Sequence, residues 1–144
     1  MNEVEFHTGV ADPLVYACRL LRKACRAGVR VLVTAPPATL AALDRALWTF
    51  DEREFVPHVR QPGAGAPLAA RTPIWLAQRG GLPDAPRVLV NLGADAPEDL
   101  ASVDRLIEIV SGDADDADRG RSRWRVYKAR GLAVVHHRGR PATE

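Results

Sequence analysis

Hydrophobic positions along the chain recur with two spacings, and together they predict strands that alternate with helices. Apolar, β-branched runs predict strands at 3–9, 29–34, 72–77, 87–92, 104–111 and 132–137. Helical spacing of apolar residues, or a polar run that ends at a glycine, predicts helices at 12–28, 36–48 and 112–130, with a short helix at 96–102. The Gly, Pro and Ala-rich residues 61–70 predict a loop.

The helix at 12–28 has the clearest boundary signals. Asp12 can cap its first turn, Pro13 suits that turn, and Gly28 follows its end. The two cysteines, Cys18 and Cys25, share one face of this helix but lie about 10 Å apart along its axis, which is too far for a disulfide. We therefore expect both thiols to be small buried apolar groups.

Alternating strands and helices imply a mostly parallel sheet covered on both faces. The expected fold is a three-layer α/β/α domain with Rossmann-like topology, built from residues 1–144 as one unit with a flexible tail at about 138–144. The longest apolar runs are far shorter than a membrane span, and residues 1–15 lack the apolar core of a secretory signal. These features predict a cytoplasmic protein.

Motifs for chemistry are sparse. The chain has no phosphate-binding loop with Lys and Ser or Thr, and no dinucleotide fingerprint after its first strand, so no cofactor and no catalytic residue is predicted. A small enzyme with an unrecognised nucleotide site remains one hypothesis, with the site at the strand ends 7–9 and 34–36. His136 and His137 are adjacent on a predicted strand and point to opposite faces, so no metal site is predicted from them.

Basic and aromatic residues concentrate at 121–131, although the formal net charge of the chain is only +2. On a helical wheel, one arc of roughly 100° holds four side chains, namely Arg121, Trp124, Arg125 and Lys128. Tyr127 lies about 60° beyond Trp124, at the edge of this group. Three further side chains, Arg123, Val126 and Arg130, point another way. The preceding acidic run, 113–118, suits the first turns of a helix because it complements the helix macrodipole.

Three interpretations of this cluster stay open on physical grounds. Cations beside an indole can hold single-stranded nucleic acid, with bases stacked on the ring. They can equally hold an acidic peptide that ends in an apolar residue and a carboxylate. The small net charge of +2 slightly favours the peptide. In the third interpretation the cations are merely solvated and Trp124 covers part of the core.

Two stretches resemble segments of a known family, the chi subunit of bacterial DNA polymerase III. "LDRALWTFDEREFVPH", 43–58, is similar to that family's "LD-x-x-LW" and "FVPH" segment, and "RSRWRVYKARG", 121–131, is similar to its C-terminal basic and aromatic segment. The strands at 27–33 and 87–92 also match in order and spacing. The resemblance covers almost the whole chain.

The resemblance implies a non-catalytic accessory subunit of the polymerase holoenzyme. Such a subunit would join the clamp loader through its psi subunit and bind the acidic, Phe-terminated tail of the single-stranded DNA-binding protein. Carried over position by position, the tail site would use Arg121, Trp124, Arg125 and Lys128. The psi surface would use Trp48, Phe55, Val56 and Pro57, although Trp48 and Phe55 could instead pack as core aromatics. The acidic run 113–118 departs from the family pattern and could weaken the tail site electrostatically.

Overall fold

The computed structural model describes residues 3–138, and within them seven strands form one sheet in which every neighbouring pair is parallel. The strands are β1 (Glu3–Val10), β2 (Val31–Thr34), β3 (His58–Arg60), β4 (Ile74–Ala77), β5 (Val88–Asn91), β6 (Arg105–Ser111) and β7 (Ala133–Arg138). The helices are α1 (Pro13–Arg26), α2 (Pro37–Thr49), α3 (Ala66–Arg71) and α4 (Ala114–Ala129). The strand order across the sheet is β3-β4-β2-β5-β6-β1-β7.

Helices cover both faces of this sheet, which confirms the predicted three-layer α/β/α fold. Strand β2 is buried along its whole length, and its alternate residues serve different layers: Val31 and Val33 pack with α1 and α2, whereas Leu32 packs with the layer of α3 and α4. This two-sided burial is what the continuous apolar run predicts for a central parallel strand.

The boundary signals of α1 act as predicted. The Asp12 carboxylate accepts a hydrogen bond from the Val15 amide at 3.2 Å, and Gly28 adopts a φ of 72° just beyond the helix. Cys18 is buried and Cys25 partly buried, and both are free thiols. Burial raises the pKa of Cys18 to about 11, so this thiol stays protonated and packs as an apolar group.

Two local predictions are wrong. Residues 96–102 form bends and turns rather than a short helix. The predicted loop 61–70 contains most of α3, because the alanine-rich segment can bury Ala69 against the sheet while its backbone carbonyl accepts a 2.9 Å hydrogen bond from the indole of Trp75. The remaining predicted elements are present, with ends that coincide or differ by at most two residues.

The predicted flexible tail lies outside the described residues, except for Arg138 at the end of β7. Among the helices that the structure describes, none has the length and apolar character needed to cross a membrane.

Candidate functional site

The packing of α4 against the sheet determines which of its side chains reach solvent. Three of its residues, Gly120, Arg123 and Tyr127, face the sheet and are buried. Below them lies Glu108 of β6, which is 0% exposed. Its carboxylate accepts hydrogen bonds from Arg123 Nε at 2.9 Å, from the Tyr127 hydroxyl at 2.5 Å and from the Asn91 amide at 2.9 Å. These bonds fix the rotation of α4 about its own axis.

This network corrects one expectation about the basic cluster and extends another. Tyr127 was predicted at the edge of a surface group, but its ring is fully buried and packs 5.9 Å from Phe6. Arg123 does point away from the cluster, as predicted, but toward the core, where it pairs with Glu108 and is only 5% exposed. Burial raises the pKa of Glu108, and the positive charge of Arg123 opposes that rise.

Gly120 lets α4 approach the sheet closely. A Cβ atom at this position would lie 2.9 and 3.0 Å from the two methyl groups of Val110 on β6. Real Cβ contacts are essentially never below 3.0 Å. The glycine therefore brings the neighbouring residues of α4 close to the carboxyl ends of β1 and β6.

A groove of about 290 Å³ opens where the first turns of α4 meet these strand ends. Its lining includes Phe6, Thr8, Val110, Gly120, Arg121, Trp124 and His136. Trp124 forms one wall. It is partly buried, and its ring lies 5.1 Å from Phe6 and 5.7 Å from His136. The Thr8 hydroxyl and the His136 ring hydrogen-bond to each other.

The cations of α4 divide between the groove and the open surface. Arg121 lines the groove and pairs with Asp118, one turn earlier, with both side chains mostly exposed. Arg125 and Lys128 are exposed on the adjoining surface but do not line the groove. The acidic run thus acts in two ways. Asp113 caps α4, as its position predicts, and Asp118 forms an ion pair with Arg121, the cation that lines the groove.

A second candidate surface is an exposed aromatic patch, formed by Trp48 and Phe55. Trp48 is 64% exposed and Phe55 49% exposed, and their rings lie 4.9 Å apart. His58 is fixed beneath them, since both of its ring nitrogens lie 2.7 Å from oxygen atoms of Val56 and Asp44. The exposure of both large rings disfavours the alternative in which they pack as core aromatics.

The other residues predicted for this surface differ in position. Pro57 is exposed beside the patch, whereas Val56 is 1% exposed and belongs to the core that α1 and α2 share with the sheet. Val56 therefore does not belong to the exposed patch.

A second groove, of about 380 Å³, lies between the starts of α1 and α2. None of the residues proposed for a nucleotide site, 7–9 and 34–36, lines it, and Thr8 and Gly9 line the groove beside Trp124 instead. The walls of the second groove are mostly apolar, from Pro13, Leu14, Ala38, Ala42 and Leu92. Among the described residues, its one charged lining residue is Asp12, whose carboxylate already accepts a hydrogen bond from the Val15 amide in the first turn of α1. The negative charge of Asp12 would repel a phosphate, and its carboxylate already uses the Val15 amide, so this groove gives the nucleotide hypothesis no support.

An α/β domain with a small groove beside a cation and a separate exposed aromatic patch has the features of a domain that contacts other macromolecules. Comparison with known proteins identifies the family. The chain belongs to the DNA polymerase III chi subunit family, HolC, whose sequence model matches residues 1–135.

Two curated relatives extend this result. The DNA polymerase III subunit chi of Pseudomonas aeruginosa is 32% identical over 148 residues, covering 96% of this chain and 97% of that protein. The subunit chi of Haemophilus influenzae is 29% identical over 119 residues, covering 80% and 79% of the two chains. The protein therefore has an accessory role in DNA replication as a member of a polymerase subunit family.

Proposed function

We propose that this chi-family protein links the clamp loader of the replicative polymerase to the single-stranded DNA-binding protein, acting in the cytoplasm as a non-catalytic adaptor. In this proposal the groove beside Trp124 binds the acidic, Phe-terminated tail of the single-stranded DNA-binding protein. The aromatic patch at Trp48 and Phe55 binds the psi subunit. Contact with single-stranded DNA is then indirect, through the protein that coats it.

The observation that carries the tail assignment is the position of Arg121 at a small, partly apolar groove. At about 290 Å³ the groove is at the lower limit of ligand-sized pockets, so it suits one terminal residue better than a larger ligand. A phenyl ring can pack against Trp124 and Phe6 while its terminal carboxylate binds Arg121 through a charge-assisted hydrogen bond. The exposed Arg125 and Lys128 can attract the acidic residues that precede the terminal one.

Direct binding of single-stranded nucleic acid through the same helix receives less support. That mode needs aromatic faces on which bases stack. Tyr127 is fully buried, and Trp124 is partly covered by Phe6 and His136. The exposed surface of α4 therefore offers cations with little aromatic area between them.

The test is a titration of the whole protein with an acidic peptide that ends in Pro-Phe, and separately with oligo-dT. Arg121→Ala and Trp124→Ala should each weaken peptide binding by roughly 1–3 kcal/mol. Arg119→Ala is a matched control, because Arg119 and Arg121 have nearly equal exposure, 62% and 60%, and each lies near an aspartate three residues earlier. Arg119 does not line the groove, so its replacement should leave peptide affinity nearly unchanged.

Two results would contradict the tail assignment. One is binding of oligo-dT without binding of the peptide. The other is an equal loss of peptide affinity in the Arg119 and Arg121 variants, which would show a general charge effect in place of a specific site. A large fall in stability for Trp124→Ala would show instead that this ring acts mainly in the core.

The psi assignment has its own test. Trp48→Ala should abolish or strongly weaken co-purification with the psi subunit, because large exposed aromatic rings commonly dominate an interface. Leu68→Ala is a suitable control, since Leu68 is 50% exposed but lies on α3. Retention of psi by the Trp48 variant, or equal losses in both variants, would contradict the assignment.

A further inference from the structure

Three potential metal ligands meet where β1 pairs with the edge strand β7. His7 and His137 are direct partners in the parallel register, and Glu5 lies two residues before His7 on the same face of β1. The ligand atoms of these three side chains all lie within 4.8 Å of one another. His136, next along β7, turns to the opposite face and contacts Trp124. Of the two adjacent histidines on β7, only His137 lies in this cluster, and its partners come from β1, which is far away in sequence but next to β7 in the sheet.

The ring of His7 is already held in an orientation that suits a ligand. Its Nδ1 atom hydrogen-bonds to the hydroxyl of Tyr16 on α1. Its Nε2 atom is buried and has no hydrogen-bond partner among the described residues. Buried polar atoms without a partner are rare, and a histidine ligand typically uses its second nitrogen for a hydrogen bond of this kind.

We propose that Glu5, His7 and His137 bind a divalent transition metal, with Zn²⁺ as the principal candidate. Two imidazoles and one carboxylate form a known ligand set for Zn²⁺, and they leave a fourth tetrahedral position for water. Metal bonds of about 2.0–2.1 Å require ligand atoms roughly 3.3 Å apart in a tetrahedral site. His7 Nε2 and Glu5 Oε1 are 4.0 Å apart, so small movements complete the site. His137 is exposed, which leaves its side chain room to turn toward the other two.

Arg105 contacts the same carboxylate and defines how Glu5 can act. Its Nε and Nη2 atoms donate to the two Glu5 oxygens at 2.5 and 3.0 Å. A carboxylate oxygen has more than one acceptor direction, so Glu5 Oε1 can bind a metal while it still accepts from Arg105. Arg105 then orients the carboxylate in the same way that Tyr16 orients His7.

The metal would join β7 to β1 near the carboxyl end of the edge strand. His137 lies beyond residues 1–135, the part of the chain that the chi family model matches, so the proposal concerns this chain and does not rest on the adaptor function. Strand β7 also carries His136 in the groove on the other face, and a metal at His137 would therefore steady one wall of that groove.

The test is calorimetric titration of the metal-free, full-length protein with ZnCl₂. We expect one Zn²⁺ per chain, a rise in melting temperature with added Zn²⁺, and a tetrahedral absorption spectrum when Co²⁺ replaces Zn²⁺. His137→Asn and Glu5→Gln should each weaken Zn²⁺ binding at least tenfold. His137 is the better first variant because its side chain is exposed and its replacement should not disturb the core.

His136→Asn is the matched control, since it alters the neighbouring histidine of the same strand on the opposite face. It should leave the affinity for Zn²⁺ unchanged. The proposal is overturned if the wild-type protein shows no saturable Zn²⁺ binding, or if His136→Asn weakens binding as much as His137→Asn. A Co²⁺ complex with a weak, octahedral spectrum would also overturn the tetrahedral assignment.

Discussion

Replacing Arg123 with Met would leave the Glu108 carboxylate buried without its cation. In the native protein this pair joins α4 to the middle of β6, with N–O contact at 2.9 Å and side-chain exposures of 6% and 0%. Tyr127 and Asn91 would still donate hydrogen bonds to Glu108 in the variant. A neutral side chain of similar length would fill the volume of Arg123 but would not balance the charge.

The expected cost follows from this burial. Removing one partner of a buried ion pair destabilises a protein by about 3–5 kcal/mol, because the other charge stays desolvated. The two remaining hydrogen bonds place the expected loss toward the lower end, at about 3 kcal/mol. The double variant Glu108→Gln with Arg123→Met removes the buried charge as well, so it should recover a large part of the loss.

The pH dependence gives an independent check. Burial raises the pKa of Glu108, and loss of the Arg123 charge should raise it further. The folded variant then binds a proton at a higher pH than the folded wild-type protein does, so its stability relative to wild type improves as pH falls from the pKa of Glu108 in the folded variant to the lower pKa of Glu108 in the folded wild-type protein. Urea unfolding at pH 8 and at pH 5 should show a smaller deficit at pH 5.

Two outcomes would refute this reasoning. A loss below about 1 kcal/mol at pH 8 would mean that Glu108 is neutral or solvated in the native protein. A deficit that grows as pH falls would mean that the sign of the pKa shift is wrong. A tail-binding assay on the same variants would show how far the network also sets the position of the groove residues on α4.

Two further predictions concern the groove. Gly120→Ala should lower stability by about 1 kcal/mol in urea unfolding, because the gain in helix propensity only partly offsets the clash with Val110, and unchanged stability would contradict the close approach. Asp118→Asn should free Arg121 and strengthen binding of the acidic tail peptide by roughly 0.2–1 kcal/mol at low salt, with a smaller effect at high salt, whereas weaker binding would show that Asp118 supports the site.

Periodicity predicted the layers of the fold well because burial in a parallel sheet depends on long apolar runs. The run at 29–34 has such a pattern, and β2 is buried throughout. α3 was missed because a six-residue helix is too short to show a period, and it depends on the packing of Ala69 against the sheet. The strand order was not predicted, since it depends on contacts between segments far apart in sequence.

The candidate site shows the same division. The helical wheel correctly grouped Arg121 with Trp124, because the direction of each side chain depends only on its position within α4. It placed Tyr127 at the surface because the partner that buries this residue, Glu108, lies on another element 19 residues earlier. The alternation of side chains along a strand predicts that His136 and His137 lie on opposite faces. The hydrogen bond between Thr8 and His136 could not be predicted, because it depends on β1 and β7 being neighbours in the sheet.

The spacing of the two candidate surfaces bears directly on the adaptor proposal. The aromatic patch lies at the end of α2 beside β3, one edge of the sheet, and the groove lies at α4 beside β1 and β7, at the other edge. Five strand spacings of about 4.8 Å separate β3 from β1, so the surfaces are roughly 24 Å apart. At that separation the tail and the psi subunit can bind at the same time without a steric clash, which an adaptor requires.

Independent surfaces also predict independent energetics. Trp48→Ala should leave the affinity for the tail peptide unchanged, and Arg121→Ala should leave psi binding unchanged. Sites more than about 10 Å apart with no shared contacts usually give effects that add within about 0.5 kcal/mol. Tail affinity measured with and without bound psi tests this directly. Competition between the two ligands would show that they share one surface, and the protein could then hold either partner but could not bridge them.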